Sequence, residues 1–332
     1  IYAGYLFVGR LLLYEEVGPT AALIDGLRYA VPLLLFLTVH EFGHYFAARR
    51  HEVATSLPYY IPFFFPGMLT PGTLGAIIRI REPVPSLRKL FDIGVAGPLA
   101  GFVVAFGALL YGFFTLPGPE YLMTVPGHEA MKAFIAETGR FPSAPLGETG
   151  PGEVRLFVGY TPLYWALSEL FANVPPMYEM HHYPVLFAGW LGLFFTALNL
   201  LPVGQLDGGH ILYALVGPRA HRALARAIVL VLLISGSMGF VRDVGPAVAG
   251  NGWMPGLEWF LIAGILYFFL SRIFGGDLRT IVPALFTMVA LVATAAWIGP
   301  AMLQYGWTGW LVWCLLIVYL IKVEHPPVLY HE

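Results

Sequence analysis

Charged side chains are scarce in this sequence. Asp, Glu, Lys and Arg make up 11% of its 332 residues, while 58% are hydrophobic and the mean hydropathy is +0.72. Soluble domains carry about 25% charged residues, so an ordinary cytosolic enzyme of this size could not solvate its surface. The composition also argues against a disordered protein, and a net charge of −2 leaves no basic surface for nucleic acid. The sequence therefore predicts a polytopic membrane protein.

Cysteine is nearly absent as well. The single cysteine, Cys314, excludes an internal disulfide framework and a cysteine-rich zinc module. Because it lies in an apolar run, we expect it to pack in the core or against lipid.

The sequence instead contains several long runs of apolar residues. A membrane-spanning helix needs roughly 20 mostly apolar residues, and lipid offers no hydrogen-bond partner to an open strand. We therefore expect an all-α polytopic membrane protein with about seven or eight spans. Seven candidate spans cover residues 29–48, 93–115, 185–203, 223–241, 257–272, 280–299 and 307–323, and residues 1–14 are a candidate for part of an eighth.

Positive charge predicts the orientation of these spans. If residue 49 is cytoplasmic and the spans alternate from there, twelve of the eighteen basic residues fall in cytoplasmic loops and five fall outside. The long loop 116–184 then lies outside and carries seven acids against three bases. This topology predicts a multi-pass protein of a prokaryotic plasma membrane, with a plastid membrane as the alternative.

The connection between the first two candidate spans has an unusual composition. Its residues 57–74 are rich in proline and aromatics. In residues 74–81, Ile78 and Ile80 alternate with Arg79 and Arg81, which is the period of a strand. One interpretation is an interfacial loop anchored by aromatics. The other is a small re-entrant β element whose exposed edge binds a peptide by β-augmentation. The candidate substrate-binding residues are then Gly75, Ala76, Ile77 and Ile78.

The sequence His40-Glu41-Phe42-Gly43-His44 is an HExxH motif inside an apolar span. Positions i and i+4 share one face of a helix, so both imidazoles can bind one Zn²⁺. Glu41 can then act as general base on a zinc-bound water. Because three ionisable groups within one membrane helix are costly, they indicate a functional site.

A zinc site of this type needs a third protein ligand, and Asp207 is the best candidate. It follows a later span in the sequence NLLPVGQLDGGH, residues 199–210. In the predicted topology both Asp207 and the HExxH histidines lie toward the cytoplasmic side. Taken alone, Asp207 also fits a polar turn at a helix end, which Gly208 and Gly209 would favour.

These two motifs together resemble the site-2 protease family of intramembrane zinc metalloproteases. The family pattern is HExxH followed by NxxPxxxLDG, and the second half fits at Asn199, Pro202, Leu206, Asp207 and Gly208. GVAGPLAG, residues 94–101, resembles the family's Gly/Pro-rich helix, and its GxxxG spacing favours close helix packing. The resemblance covers residues 29–216.

The resemblance implies a role for each motif residue. One zinc ion per chain would be bound by His40, His44 and Asp207, and Glu41 would activate water. Asn199 would hydrogen-bond the substrate backbone or the developing oxyanion, although a structural asparagine in a broken helix is the alternative. The implied substrates are transmembrane segments of other proteins in the bilayer, so the reaction is intramembrane proteolysis. The pattern assigns no role to His210.

The resemblance also implies a domain organisation. We expect an N-terminal partial span and linker (1–28), a catalytic core (29–216), additional C-terminal spans (217–323) and an unstructured tail (324–332). Many bacterial relatives carry a PDZ domain between the motif spans, and loop 116–184 shows no such pattern, which predicts a member without that domain. His181 and His182 in this loop could bind metal adventitiously, but interfacial histidines are the favoured interpretation.

Three other functions are compatible with parts of the sequence. A prenyl-protein peptidase also places HExxH in a membrane helix but needs a distal glutamate, and the only acid inside a late span is Glu258. A metal transporter would show repeated polar positions in inverted halves, and no second HExxH-like element occurs. A catalytically dead homologue would not need Glu41. The sequence leaves the oligomeric state and the identity of the substrate open.

Overall fold

The computed structural model describes residues 14–63, 71–125, 128–144, 146, 159–250 and 256–325. The chain is mostly helical and divides into two compact units. The first comprises residues up to Glu82 and Val95–Asn199, and the second comprises Pro83–Gly94 and Leu200 onward.

The first unit contains the HExxH helix and the loop that was predicted to be extracytoplasmic. Its helices and strands are α1 (Tyr14–Arg50), β1 (Tyr59–Pro62), β2 (Thr73–Ile77), the part of α2 (Leu87–Phe114) from Val95 onward, α3 (Glu129–Thr138), α4 (Pro162–Ser168) and α5 (Pro184–Asn199). Two 3₁₀ turns, Pro119–Thr124 and Met180–His182, connect them. Whether this chain lacks a PDZ domain stays a prediction.

Close packing of α1, α2 and α5 forms the core of this unit. The Tyr29 and Phe187 rings stack with their centroids 6.0 Å apart, and Leu109 is fully buried. At Gly189 an added Cβ would lie 2.6 Å from the Leu109 nitrogen. Glycine at this position therefore lets the α5 backbone approach α2 directly, as is common between membrane helices.

The predicted β element is a two-stranded antiparallel hairpin, although the alternating residues 78–81 follow its second strand. Tyr59 pairs with Ile77 and Tyr60 with Ala76. The strand ends at Ile77, so Ile78 follows it rather than forming part of it. The Tyr29 hydroxyl donates to the Pro71 carbonyl at 3.0 Å, which ties the hairpin segment to α1.

The second unit consists of helices that surround a separate apolar core. They are α6 (Asp207–Gly250), α7 (Leu257–Ile273), α8 (Leu278–Ile298), α9 (Pro300–Leu303) and α10 (Gly309–Leu316), and the chain continues into a π turn at Ile317–Ile321. Helix α6 breaks at Gly217, where φ is +75°, just before Pro218. Cys314 is fully buried in this core, which confirms the prediction that it packs among apolar side chains.

Among the residues that the structure describes, four helices are long and apolar enough to cross a membrane. They cover Leu23–Arg50, Leu87–Phe114, Asp207–Pro246 and Leu278–Ile298. The prediction of a helical membrane protein is confirmed, whereas seven or eight spans stay a prediction. The remaining candidate spans fall on helices of 16 and 17 residues and on Gly309–Ile321, and residues 1–13 lie outside the described part of the chain.

Candidate metal centre

The two HExxH histidines face each other from successive turns of α1. Their Nε2 atoms are 3.2 Å apart, and the residues His40 and His44 are 2% and 6% exposed. Two ligands bound to a tetrahedral metal at about 2.0–2.1 Å lie about 3.3 Å apart. The pair is therefore spaced as a divalent metal requires, and imidazole nitrogen is a donor that zinc prefers.

Glu41 is buried beside this pair, with 6% of its surface exposed. It lies within the apolar stretch Leu23–Arg50, where a lone carboxylate would be costly. Its position next to a candidate ligand is that of the general base in HExxH peptidases. Helix α1 ends at Arg49 and Arg50, whose positive charges are favourable at a helix C-terminus.

Glycines of α2 make room for the two imidazoles. A Cβ added at Gly97 would overlap the His44 ring, and one added at Gly101 would lie 2.9 Å from His40 Nδ1. On α1 itself, a Cβ added at Gly43 would lie 2.6 Å from the carbonyl oxygen of Ala96 in α2. The glycines in the GVAGPLAG segment thus form a cradle that keeps the space around both rings clear.

We expect Gly97→Ala to weaken metal binding by about tenfold or more, because the new methyl group occupies the space of His44. Overpacking of this kind typically costs about 1–3 kcal/mol. Metal content and affinity of the purified variant would measure the effect. Gly107→Ala, on the same helix with no atom within 4 Å of the added Cβ, is the matched control and should leave binding unchanged. Equal affinities for both variants would show that the cradle does not support the site.

Asn199 and Asp207 flank a tight turn. Asn199 is half-buried at the end of α5, and Asp207 is the first residue of α6 in the second unit. An added Cβ at Gly208 would overlap the Leu200 carbonyl, which explains the glycine after the aspartate. An aspartate at this position is also favourable to the helix dipole, so the local geometry fits both a metal ligand and a helix-terminal residue.

Comparison with known proteins decides between the families that place HExxH in a membrane helix. Residues 28–238 match peptidase family M50. The chain belongs to peptidase family M50. This is the site-2 protease family that the paired motifs resemble, and the match covers α1 from residue 28 onward, with HExxH, and the turn from Asn199 to Asp207.

The most similar M50 relatives include plant proteins. The chain is 34% identical over 199 residues to the "Probable zinc metalloprotease EGY1, chloroplastic" of Oryza sativa subsp. japonica, an alignment that covers 59% of this chain and 29% of the relative. The Arabidopsis thaliana protein of the same name is 31% identical, with 63% and 32% covered. A third, the Arabidopsis "Probable zinc metallopeptidase EGY3, chloroplastic", is 28% identical, with 67% and 36% covered. The chain thus spans about a third of the length of these relatives, and no solved structure gives a significant match.

In this M50 chain the residues just after the last helix contact α6. His210 Nδ1 lies 2.6 Å from His325 Nε2, and Glu324 forms ion pairs with Arg222 and Arg226 at 2.9 and 2.6 Å. Glu324 and His325 therefore depart from the expectation of an unstructured tail, and residues 326–332 lie outside the described part of the chain. The signal in the sequence was the two arginines spaced by one helical turn, which can share one carboxylate.

Proposed function

We propose that this chain is a membrane-embedded zinc endopeptidase that hydrolyses peptide bonds within or near transmembrane segments of other membrane proteins. The observation that carries the proposal is the buried His40–His44 pair, 3.2 Å apart, with the buried Glu41 beside it in an apolar helix of an M50 chain. The names of the relatives as zinc metalloproteases support it.

In this proposal His40, His44 and Asp207 hold one zinc ion. Zinc, when bound, supplies Lewis-acid activation of water and of the scissile carbonyl. The Glu41 carboxylate accepts the proton of the attacking water and delivers it to the departing amide nitrogen, which is general base and then general acid catalysis. The Asn199 side-chain amide donates a hydrogen bond to the developing oxyanion or to the substrate backbone.

The substrate must be extended before it can be cut, and β2 is the proposed strand that holds it. Thr38, two residues before His40, has its hydroxyl 2.7 Å from the Tyr60 hydroxyl of β1, which supports a location of the hairpin beside the HExxH helix. Ala76 is buried, whereas Ile77 is 52% exposed. Among the described residues, only β1 pairs with β2, so its second edge is available for β-augmentation.

Prolines introduced one at a time at positions 74–80, other than Gly75, test this strand. Proline removes a backbone donor, so we expect cleavage to fall at alternate positions, those whose N–H groups point to the open edge. Gly75 is omitted because its φ of +113° is closed to proline. Alanine at the same positions is the control, with the unsubstituted chain serving for Ala76, and zinc content monitors folding. Cleavage that persists throughout the series would contradict a role for β2.

The proposed activity itself is tested by cleavage of a reconstituted single-span substrate by the purified chain. We expect proteolysis that stops when a chelator removes zinc and returns when zinc is resupplied, with a cut inside or beside the span. A protein that binds zinc but leaves a panel of such substrates intact under both conditions would count against the proposal.

The membrane compartment is also part of this proposal. The topology from basic residues predicts a prokaryotic plasma membrane with the active site toward the cytoplasm. The relatives are named as chloroplastic, which supports the plastid alternative and gives the prokaryotic assignment no support. Protease accessibility of loop 116–184 in sealed vesicles would test the orientation in either membrane.

A further inference from the structure

A second group of metal-ligating side chains lies in the first unit, outside the HExxH helix. Glu179 Oε2 is 3.1 Å from His128 Nε2 and 3.4 Å from His182 Nε2. The two Nε2 atoms are 3.2 Å apart. Three potential ligand atoms from three side chains thus converge on one point, although His128 and His182 are 54 residues apart in the sequence.

Most of this cluster is withdrawn from solvent. The side chains of Glu179 and His182 are 6% and 3% exposed, whereas that of His128 is 26% exposed. Buried carboxylates are rare unless they are paired with a charge or bind a metal. The partial exposure of His128 leaves one side open, where a fourth ligand such as water can enter.

Hydrogen bonds from the imidazole N–H groups satisfy these three atoms poorly. A neutral imidazole has one N–H, and a proton on Nε2 can point at only one of the other two atoms. If both neutral rings carried their proton on Nε2, two N–H groups 3.2 Å apart would converge on the single Glu179 oxygen, which is buried and accepts no hydrogen bond from the described residues. If both rings were doubly protonated, two positive charges would lie at that distance. A cation at the centre accepts a lone pair from each of the three atoms and removes the conflict.

The backbone holds the three side chains in place. Glu179 and His182 are joined by a turn in which the His182 N–H donates to the Glu179 carbonyl at 3.0 Å, and the Tyr121 hydroxyl donates to the His182 carbonyl at 3.2 Å. His128 precedes α3 with φ +64°, a left-handed conformation that is disfavoured for residues with a side chain. Such a conformation persists only when the surrounding structure imposes it, and it is common at functional sites.

We propose that His128, Glu179 and His182 form a second binding site for a divalent transition-metal cation of the zinc class. Two imidazoles and a carboxylate, with one open position, are a donor set that zinc prefers. The separations of 3.1, 3.2 and 3.4 Å match the spacing of about 3.3 Å between ligands bound tetrahedrally at about 2.0–2.1 Å. The favoured assignment of His182 as an ordinary interfacial histidine is replaced by this one.

The location indicates a structural role for the ion. His182 lies two residues before α5, and Asn199 is the last residue of that helix. At the rise of an α-helix, α5 is about 24 Å long. A bound cation would join the start of α3 to the turn before α5 and so clamp loop 116–184. The excess of acids in this loop raises the local concentration of cations.

The site can be tested in a chain that cannot bind metal through HExxH. We expect the His40→Ala/His44→Ala variant to take up about one equivalent of Co²⁺ with the visible absorption of a tetrahedral His/carboxylate site. Adding His128→Gln or Glu179→Gln should weaken this binding by about 100-fold or more, since even an outer-shell change costs about 10–100-fold. His181→Gln is the matched control, because that ring neighbours His182 at 4.0 Å yet contributes no ligand atom.

The melting temperature and the metal stoichiometry are two further readouts. Zinc should raise the melting temperature of the His40→Ala/His44→Ala protein. The chain without substitutions should bind about two equivalents of zinc, and His128→Gln should reduce this to about one. Absence of cobalt absorption and of any shift in melting temperature would overturn the proposal. Undiminished binding in both His128→Gln and Glu179→Gln would do so as well. Neither result bears on the peptidase activity, which depends on other residues.

Discussion

Glu41→Gln is expected to reduce proteolysis by about 10²- to 10⁴-fold while leaving zinc bound, because general acid–base catalysis contributes about that much. Glutamine keeps the size of the side chain but cannot accept the proton of the attacking water. Glu41 is 6% exposed inside an apolar helix, so bulk water does not readily replace its carboxylate. Cleavage rate and zinc content, measured on the same preparation, separate the loss of the base from the loss of the metal.

Glu258→Gln is the matched control for this substitution. Glu258 lies in the first turn of α7 and is the acid that a prenyl-protein peptidase mechanism would need. We expect its replacement to leave cleavage unchanged. If Glu41→Gln cleaved at the normal rate, the proposed proton transfer would be wrong. If Glu258→Gln alone were inactive, the identity of the catalytic acid would have to be reconsidered.

Asp207→Ala is expected to lower the zinc content from about one per chain toward zero at the HExxH site and to abolish cleavage. Loss of one ligand from a three-residue site should cost more than the roughly 10–100-fold of an outer-shell change. Because His128, Glu179 and His182 are proposed to hold a second ion, the measurement is best made with Glu179→Gln in the background. Zinc retained in full would mean that another residue supplies the third ligand.

Asp277→Ala distinguishes ligation from a role at a helix end. Asp277 also precedes a helix of the second unit, where its carboxylate accepts from the Arg279 N–H at 3.2 Å. Its removal should cost about 1 kcal/mol of cap stability and leave zinc in place. If both variants lowered stability equally and neither lost zinc, Asp207 would be a helix-terminal residue only.

Much of the candidate site could be predicted because its chemistry is local in the sequence. His40 and His44 are one helical turn apart, so any helix at this position brings their side chains together. The apolar residues around them specify that helix, and the structure has it as part of Tyr14–Arg50. Alternation in residues 78–81 also predicted a strand here, but β2 covers Thr73–Ile77, and beyond it only an isolated bridge from Thr55 to Ile80 continues the pairing.

Contacts between distant segments could not be predicted in this way. The requirement for glycine at positions 97 and 101 follows from the imidazoles of another helix, whereas the sequence indicated only close helix packing. The ion pairs of Glu324 with Arg222 and Arg226 join residues about a hundred positions apart, and their formation depends on how the last helices return along α6.

The sequence by itself determined the membrane class, the helical spacing of HExxH and membership of the family. Composition does not depend on how the chain folds, and short motifs involve only residues that are close together in the sequence. Only the tertiary structure decided that His128 meets Glu179 and His182, since the intervening chain can be folded in many ways without changing either segment. Local rules fix the face on which a side chain lies. The partner it meets there depends on the packing of the whole unit, in which His182 is buried beside Glu179 of its own turn and Tyr121 and His128 from more than 50 residues away.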